Sequence, residues 1–259
     1  MTQELEGGCR VHALREGEPF THAGVRAWSV VGRHSGARHV SLRTLEFGPG
    51  PPAVLSSDCD DVWYVVSGRA RLEIDGREHA VEPATGIYLA PGTVARVLDT
   101  TSEPLLVASV RCPEPRGMGL LAEDGDRRAA AEISRSPAST PRPPIARLAD
   151  RAKETTGDRW YQVLVDRSLG SEQVSQFVGC IPPGRAPDHY HNYEEVIVIL
   201  EGRGRMWAGN TSAPVGVGSV IYLPIRQVHC LENTGDGPLL LLGAFYPAGS
   251  PAVRYDAES

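Results

Sequence analysis

Short apolar and alternating stretches recur along the chain, and the clearest of them cover residues 173–181, 194–207, 218–224 and 237–245. The segments between them contain glycine, proline, asparagine or aspartate, which are typical of tight turns. Stretches this short, rich in β-branched residues and bounded by turns, predict strands. Many short strands at even spacing predict an all-β fold of the sandwich or closed-barrel type.

The pattern occurs twice. A shift of 134 residues places Gly50 on Gly184 without a gap, and it places the Ile-Tyr-Leu tripeptide at 87–89 on the same tripeptide at 221–223. Matching turn glycines and matching apolar runs at one fixed offset are the signature of a duplicated domain. We therefore predict two β-barrels in tandem.

Composition divides the chain between the two copies. Residues 111–150 are charged, alanine-rich and proline-rich in turn, and predict an interdomain linker. We expect a first barrel in residues 1–110 and a second in residues 151–259. The linker pattern allows a short helix near Arg127–Ile133.

Candidate metal ligands lie in the second copy. His189, His191 and Glu195 are spaced by even numbers, so one face of one strand could present all three. A third imidazole, His229, follows on a strand that could lie opposite. Three imidazole nitrogens and one carboxylate oxygen suit a borderline divalent transition metal, and four protein ligands in an octahedral field leave two open positions.

Two other interpretations of these histidines are open. They could form a solvent-facing ladder, or they could be hydrogen-bonded core residues. Burying three imidazoles and a carboxylate without an ion leaves several polar groups to satisfy, which is unfavourable. A closed structural zinc site usually has thiolate ligands, and no cysteine occupies a ligand position here.

The two stretches that carry these residues resemble the two motifs of the cupin superfamily. The first motif is a glycine, H-x-H, three residues, a glutamate, six residues and a glycine, and the second is a glycine, a proline, a histidine and an asparagine at fixed spacing. The matching positions are Gly184, His189, His191, Glu195, Gly202, Gly218, Pro224, His229 and Asn233. Two departures occur: Gly184 is one residue closer to His189 than usual, and Arg226 replaces a glycine.

The resemblance covers about residues 25–110 and 160–248, and it implies a bicupin, with two double-stranded β-helix (jelly-roll) barrels in tandem. It also implies one divalent transition metal per chain, with Fe(II) favoured and Mn, Ni, Zn, Cu or Co as alternatives. In the first copy the four ligand positions become leucine, serine, aspartate and alanine, so we expect no ion there. Those positions are Leu55, Ser57, Asp61 and Ala95.

Strand parity nominates further pocket residues. Tyr193 shares the face of the ligands and is a candidate acid or hydrogen-bond donor. Gln227 shares the face of His229, and Arg226 places a cation near the mouth, where it could meet an anionic substrate. Glu194 has the opposite parity and is expected to face outward.

Four functions fit this pattern. A dioxygenase-type enzyme acting on a small organic molecule is favoured. A redox-neutral metalloenzyme (isomerase, decarboxylase or aminohydrolase), a metal-loaded binding protein and a structural protein are the alternatives, because a fold does not determine the chemistry of its site.

Charge and cysteine content limit the environment. The net charge of −6 without a basic run argues against a nucleic-acid partner. No apolar run approaches the roughly 20 residues of a membrane helix, and the first residues lack the apolar core of a secretory signal. The five cysteines are dispersed and without a C-x-x-C pair. We expect a cytoplasmic protein with a small-molecule substrate, and a homodimer is a possible assembly.

Overall fold

The structure, a computed structural model, describes residues 2–101, 103–113, 120–121, 143–253 and 255–256. Within them the chain forms strands and no α-helix, together with short 3-10 turns at Glu6–Gly8, Arg33–Ser35 and Leu148–Asp150. The helix predicted near Arg127–Ile133 lies outside the described residues. None of the helical segments that are described is long and apolar enough to cross a membrane.

The first barrel consists of a seven-stranded and a five-stranded antiparallel sheet. The larger sheet has the spatial order β14 (Ile145–Arg147), β10 (Thr85–Leu89), β7 (Asp60–Ser67), β12 (Leu105–Cys112), β5 (Ser41–Phe47), β4 (Val25–Val31) and β3 (Phe20–His22). The smaller sheet has the order β13 (Leu120–Leu121), β6 (Ala53–Ser56), β11 (Val94–Thr100), β8 (Ala70–Ile74) and β9 (Arg77–Val81).

The second barrel repeats this arrangement with an eight-stranded and a six-stranded sheet. The larger sheet has the order β1 (Gln3–Glu4), β2 (Arg10–Ala13), β23 (Ser219–Leu223), β20 (Glu194–Glu201), β25 (Leu239–Tyr246), β17 (Ser175–Ile181), β16 (Arg159–Val165) and β15 (Glu154–Thr156). The smaller sheet contains β22 (Thr211–Gly216), β21 (Arg203–Ala208), β24 (His229–Asn233), β19 (His189–Tyr190) and β26 (Tyr255–Asp256), with β18 (Gly184–Arg185) paired to β24.

The barrels exchange one equivalent strand each. β2, from the start of the chain, pairs with β23 of the second barrel, with Val11 opposite Ile221. β14, from the end of the predicted linker, pairs with β10 of the first barrel, with Ile145 opposite Ile87. Both pairs are related by the 134-residue offset of the sequence repeat. Strand pairing therefore crosses the predicted domain bounds at β2 and at β14. The bounds themselves remain a prediction.

The two larger sheets are apolar on both faces. One face of each sheet lines the interior of its own barrel, and the other face packs against the larger sheet of the other barrel. In β20, Val196 and Val198 join the cluster between the barrels, whereas Ile197 and Ile199 join the cluster inside the second barrel. In β7, Val62 faces the other barrel. Burial on two faces explains why these strands appear in the sequence as continuous apolar runs and not as alternating ones.

Candidate metal centre

Three of the four predicted ligands lie on three strands in two sheets, and His191 lies in the turn between two of these strands. β19 pairs with β24 so that His189 lies directly opposite His229. Glu195 is the second residue of β20, in the larger sheet. Residues 191–193 form the turn between β19 and β20 and carry the chain from one sheet to the other. The expectation that one strand face presents all three residues of the first motif is therefore wrong, although the side chains do meet.

Each of the three imidazoles is oriented by a backbone carbonyl. Nδ1 of His189 donates to the Pro187 oxygen at 2.9 Å, and Nδ1 of His229 donates to the Gln227 oxygen at 2.8 Å. Nδ1 of His191 donates to the Val253 oxygen at 3.2 Å. A carbonyl only accepts, so the proton of each neutral ring is on Nδ1 and the lone pair is on Nε2. Metal-binding histidines are commonly held in this way.

The three rings converge on one point. One nitrogen atom of each of His189, His191 and His229 lies within 4.8 Å of the others. The Glu195 carboxylate lies at the edge of this group, with Oε2 3.8 Å from Nε2 of His191. Three neutral imidazoles and an adjacent carboxylate fit the donor preference of a divalent transition metal. The assignment of all four residues as ligands to one ion stays a prediction.

Burial sets the protonation of the two deepest groups in the absence of an ion. Burial raises the pKa of the Glu195 carboxyl to about 8. Burial lowers the pKa of His229 to about 3, and the neighbouring His189 adds to the decrease. At neutral pH the metal-free site therefore has a neutral His229, which is the ligand form, and a protonated Glu195, which must lose its proton to bind an ion.

We expect metal binding at pH 7 to release close to one proton, and the affinity to rise with pH until about pH 8, where Glu195 ionises without help. Titration calorimetry of Mn(II) into metal-free protein, in two buffers of different ionisation enthalpy, measures the proton count. Glu195→Gln is the control, since it keeps the volume and removes the proton. Equal proton release by this variant would contradict the assignment.

The same pKa shifts predict the stability of the metal-free protein. The folded state holds the Glu195 proton more tightly than the unfolded state, so this group stabilises the fold below pH 4.5 and loses that contribution as the pH rises to about 8. His229 acts in the opposite direction between about pH 3 and its usual pKa of 6.5. The decrease is therefore expected to be visible between pH 6.5 and 8.

A cavity opens from this cluster into the barrel. Its lining includes the three histidines, Glu195 and Tyr193, and one cation, Arg159 of β16. Most of the remaining wall is apolar or aromatic and includes Trp160, Tyr161, Phe177, Ile197, Leu231 and Leu241. A polar floor below apolar walls is the usual construction of a small-molecule site.

Tyr193 is buried between two rings. It stacks on His191 with centroids 4.4 Å apart and on Phe245 with centroids 4.3 Å apart. Burial raises its pKa far above the usual range, and the charge of Glu195 adds to the increase. The phenol therefore stays protonated, which fits a hydrogen-bond donor better than a base. Its predicted catalytic role is untested.

The other two catalytic candidates lie outside the cavity lining. The Gln227 amide donates to the Val228 carbonyl at 2.8 Å, and its Oε1 fills the space where a side chain on Gly7 would stand. Arg226 is exposed and donates to Oδ1 of Asn192 at 3.2 Å. Neither residue is among the described residues that line the cavity, and the predicted catalytic role of both is untested. A turn, and not a regular strand, precedes His229, so parity does not define a common face for Gln227 and His229.

Arg226 adopts a backbone conformation that favours glycine, the residue expected at this motif position. Its φ of +62° lies in the left-handed region that glycine adopts without strain. Its backbone N–H donates to the carbonyl of His191 at 2.8 Å. The main chain of residue 226 thus contacts the turn that begins at His191, and this contact does not depend on the side chain at position 226.

In the first barrel, an internal ion pair occupies the place that corresponds to the candidate metal site. Asp61, at the position equivalent to Glu195, accepts hydrogen bonds from Nη2 of Arg43 at 2.8 Å and from the Ser109 hydroxyl at 2.6 Å. Nε of Arg43 donates to the same hydroxyl at 3.0 Å, and Arg43 is 1% exposed. A guanidinium thus neutralises the buried carboxylate that an ion would neutralise in the second barrel.

Apolar side chains occupy the rest of that interior. Leu55 and Ala95, at two of the histidine positions, belong to one buried cluster with Trp63 and Leu72. Ser57 is also buried, and its hydroxyl lies 3.1 Å from the Cys59 sulfur. That the first barrel holds no ion stays a prediction.

Arg43, Arg159 and Phe177 lie outside the sequence motifs. The repeat offset does point to Arg43, because it aligns Arg43 with Phe177 and Ser109 with Gly243, so that a charged and a polar residue stand where the second copy has an aromatic ring and a glycine. A Cβ on Gly243 would lie 2.3 Å from the Phe177 ring and 3.1 Å from Oε1 of Glu195. Phenylalanine with glycine leaves the carboxylate beside a cavity, whereas arginine with serine fills that space with hydrogen-bond donors.

A family profile matches the second barrel, and known proteins match parts of the chain in sequence. A family profile described as a cupin domain matches residues 177–245. An uncharacterised protein of Methanocaldococcus jannaschii is 44% identical over 70 residues, which are 27% of this chain and 53% of the relative. Auxin-binding protein 1 of Arabidopsis thaliana is 31% identical over 83 residues, which are 28% of this chain and 42% of the relative. These matches span about half the length of the relatives.

Solved structures match both barrels in fold. A mutant of Bacillus subtilis oxalate decarboxylase is 18% identical, with a TM-score of 0.74, over 95% of this chain and 78% of that one. A structure of the same enzyme studied for its Mn(II) centres is 17% identical, with a TM-score of 0.70 and the same coverage. The tandem-barrel fold therefore extends over almost the whole chain.

Proposed function

We propose, from the premise that this chain is a bicupin of the cupin superfamily, that its second barrel is a metal-dependent enzyme site for a small organic molecule. The observation that carries the proposal is the shared orientation of His189, His191 and His229. Each donates Nδ1 to a carbonyl, and their rings converge at the end of a largely apolar cavity. Three imidazoles held in this way fit an ion better than a hydrogen-bonded core.

The three histidines and Glu195 would hold one divalent transition metal. Fe(II) is the first candidate, and Mn(II) has support from the oxalate decarboxylase that shares the fold. When bound, such an ion supplies Lewis acidity and, in the case of iron, reactivity with dioxygen. The chain supplies the rest: it fixes the ligands, orients the substrate against the aromatic wall and excludes water.

The lining favours oxygen-using, dioxygenase-type chemistry. Glu195, beside the imidazoles, is the sole carboxylate among the residues that line the cavity. Burial raises the pKa of Cys180 and of Tyr193, and the hydrogen bond to Glu154 raises the pKa of Tyr161. Efficient acid–base catalysis needs a group that titrates near the working pH. None of these three groups meets that need, and Glu195, whose pKa burial raises to about 8 in the metal-free site, would be occupied as a metal ligand. A reaction of substrate with dioxygen depends less on protein acids.

A redox-neutral reaction, such as a decarboxylation, is the second candidate. It has support from the activity named for the solved structures with the same two-barrel fold. Arg159 lies in the cavity wall and could hold an anionic group of the substrate. A carboxylate on a small apolar or aromatic body would match both the cation and the wall.

Turnover with and without oxygen separates these functions. Metal-free protein is reloaded anaerobically with Fe(II) or Mn(II) and given a panel of small aromatic and aliphatic carboxylates, with their primary amides as controls. Oxygen uptake in step with product, absent under nitrogen, is the result expected for the Fe(II) protein. Equal turnover under nitrogen would replace the dioxygenase by the redox-neutral enzyme. Tight binding without product under either gas would contradict an enzyme and leave a binding protein.

A further inference from the structure

Glu194, expected to face outward, is instead 2% exposed and binds the first barrel. Its carboxylate accepts hydrogen bonds from the backbone N–H groups of Arg38, His39 and Val40, at 2.9, 2.7 and 2.9 Å. The Tyr222 hydroxyl donates to it at 2.6 Å. Four donors on one buried carboxylate form a strong, geometrically fixed contact. We call this contact the Glu194 clamp.

The clamp fixes the strand that carries Glu195. Neighbouring residues of a strand point to opposite faces, so a Glu194 side chain held towards the first barrel turns the Glu195 side chain into the cavity. Among the residues that the structure describes, the ion-pair partner of the Glu195 carboxylate is His191, whose Nε2 lies 3.8 Å from Oε2. Its position therefore depends on the backbone, and the clamp holds that backbone.

The loop of the first barrel that contains residues 38–40 makes a second contact with the site. The His39 ring stacks on Tyr246 with centroids 4.8 Å apart, and Tyr246 lies opposite Glu194 in the sheet. The next residue back, Phe245, stacks on Tyr193, which stacks on His191. Residues 38–40 thus brace both the carboxylate and one imidazole.

The sequence repeat provides an internal control. At the equivalent positions, Asp60 accepts a hydrogen bond from the Tyr88 hydroxyl at 2.9 Å and one from the backbone N–H of Gln173 at 3.2 Å. This Asp60 clamp joins the same two barrels from the other side. Next to it lies Asp61, which Arg43 already binds. The Asp60 clamp therefore connects the barrels without serving a cavity.

We infer that the first barrel acts on the metal site through the Glu194 clamp, and that Glu194, Tyr222 and His39 are positioning residues for Glu195 and His191. The inference rests on the proposed metal site. Under this inference, the first barrel contributes to the function of the second barrel. The first barrel then orients Glu195 through main-chain donors and His191 through the His39 ring, in addition to covering an apolar sheet.

Tyr222→Phe and Tyr88→Phe form a matched pair, since each removes one hydroxyl from one clamp. The probe is Mn(II), added to metal-free protein, with affinity measured by chelator competition and site geometry measured by electron paramagnetic resonance. We expect Tyr222→Phe to weaken Mn(II) binding about tenfold, the lower end of what outer partners of metal ligands contribute, and to change the zero-field splitting. Tyr88→Phe should leave both unchanged although it also loses a buried hydrogen bond.

His39→Ala, paired with Gln173→Ala, is the second test. It removes the stacked ring and keeps the three backbone donors, so the fold should be retained, and Mn(II) affinity should fall in the same direction by a smaller factor. Equal Mn(II) affinity and equal spectra for Tyr222→Phe and Tyr88→Phe would overturn the inference and leave the metal site intact. Absence of Mn(II) binding to the unaltered protein would overturn both.

Discussion

Replacement of His191 by alanine is expected to reduce the metal content of the purified protein from about one ion per chain to near zero. Structural sites with four ligands bind zinc with roughly 10–16 kcal/mol, so one ligand accounts for roughly 3–4 kcal/mol, or about a hundred- to thousandfold in affinity. Here the loss includes an oriented lone pair, because the carbonyl of Val253 fixes the ring of His191. The remaining site should lose its ion during purification.

Elemental analysis of protein purified without added metal measures this effect. His34→Ala is the matched control, because His34 is exposed and lies in the other barrel. The melting temperature of the unaltered protein should fall on chelation, since an ion bound only by the folded state stabilises it, and chelation should not change that of His191→Ala. Two ions per chain would instead show that the first barrel binds metal.

Arg43→Met is expected to destabilise the protein by about 3–5 kcal/mol, the usual effect of removing one partner of a buried ion pair. Asp61 would keep the Ser109 hydroxyl and lose the guanidinium of Arg43, and both members of the pair are 1% exposed. Methionine is long enough to fill much of the vacated space, so the loss reports the uncompensated carboxylate more than a cavity.

Urea unfolding of Arg43→Met and of the double variant Arg43→Met with Asp61→Leu measures this effect. Removing both charges should restore most of the stability, because apolar replacements of a buried pair are often neutral. Metal content should stay at the level of the unaltered protein. A loss below about 1 kcal/mol, within the range of exposed ion pairs, would contradict the role given to Arg43.

The spacing of the sequence motifs is enough to predict the four candidate ligands, because that spacing reflects the backbone. The structure brings His189, His191, Glu195 and His229 together at one end of the cavity. The 134-residue repeat likewise indicated two barrels and an altered first site. Turn residues and apolar runs favour turns and strands through local interactions, so a single sequence is enough to predict them.

The errors have one cause, which is that parity along a strand is reliable only while the strand continues. The chain leaves β19 after Tyr190 and enters β20 at Glu194, so even spacing across that gap did not define a face. A turn also precedes His229, so parity along the strand did not place Gln227 on the same face as His229. Glu194 does point away from the cavity, but it meets the first barrel and not solvent.

By itself, the sequence determined the strands and the duplication, and it predicted the donor set of the second barrel and the altered set of the first, because each depends on residue type at short or repeated spacing. Tertiary structure alone decided which strands the barrels exchange, which cation lies beside Asp61, and what Glu194 binds. Those three outcomes depend on contacts between residues as far apart as His12 and Val220, or His39 and Glu194. Packing selects such partners from all surfaces of the folded chain, and no local pattern specifies them.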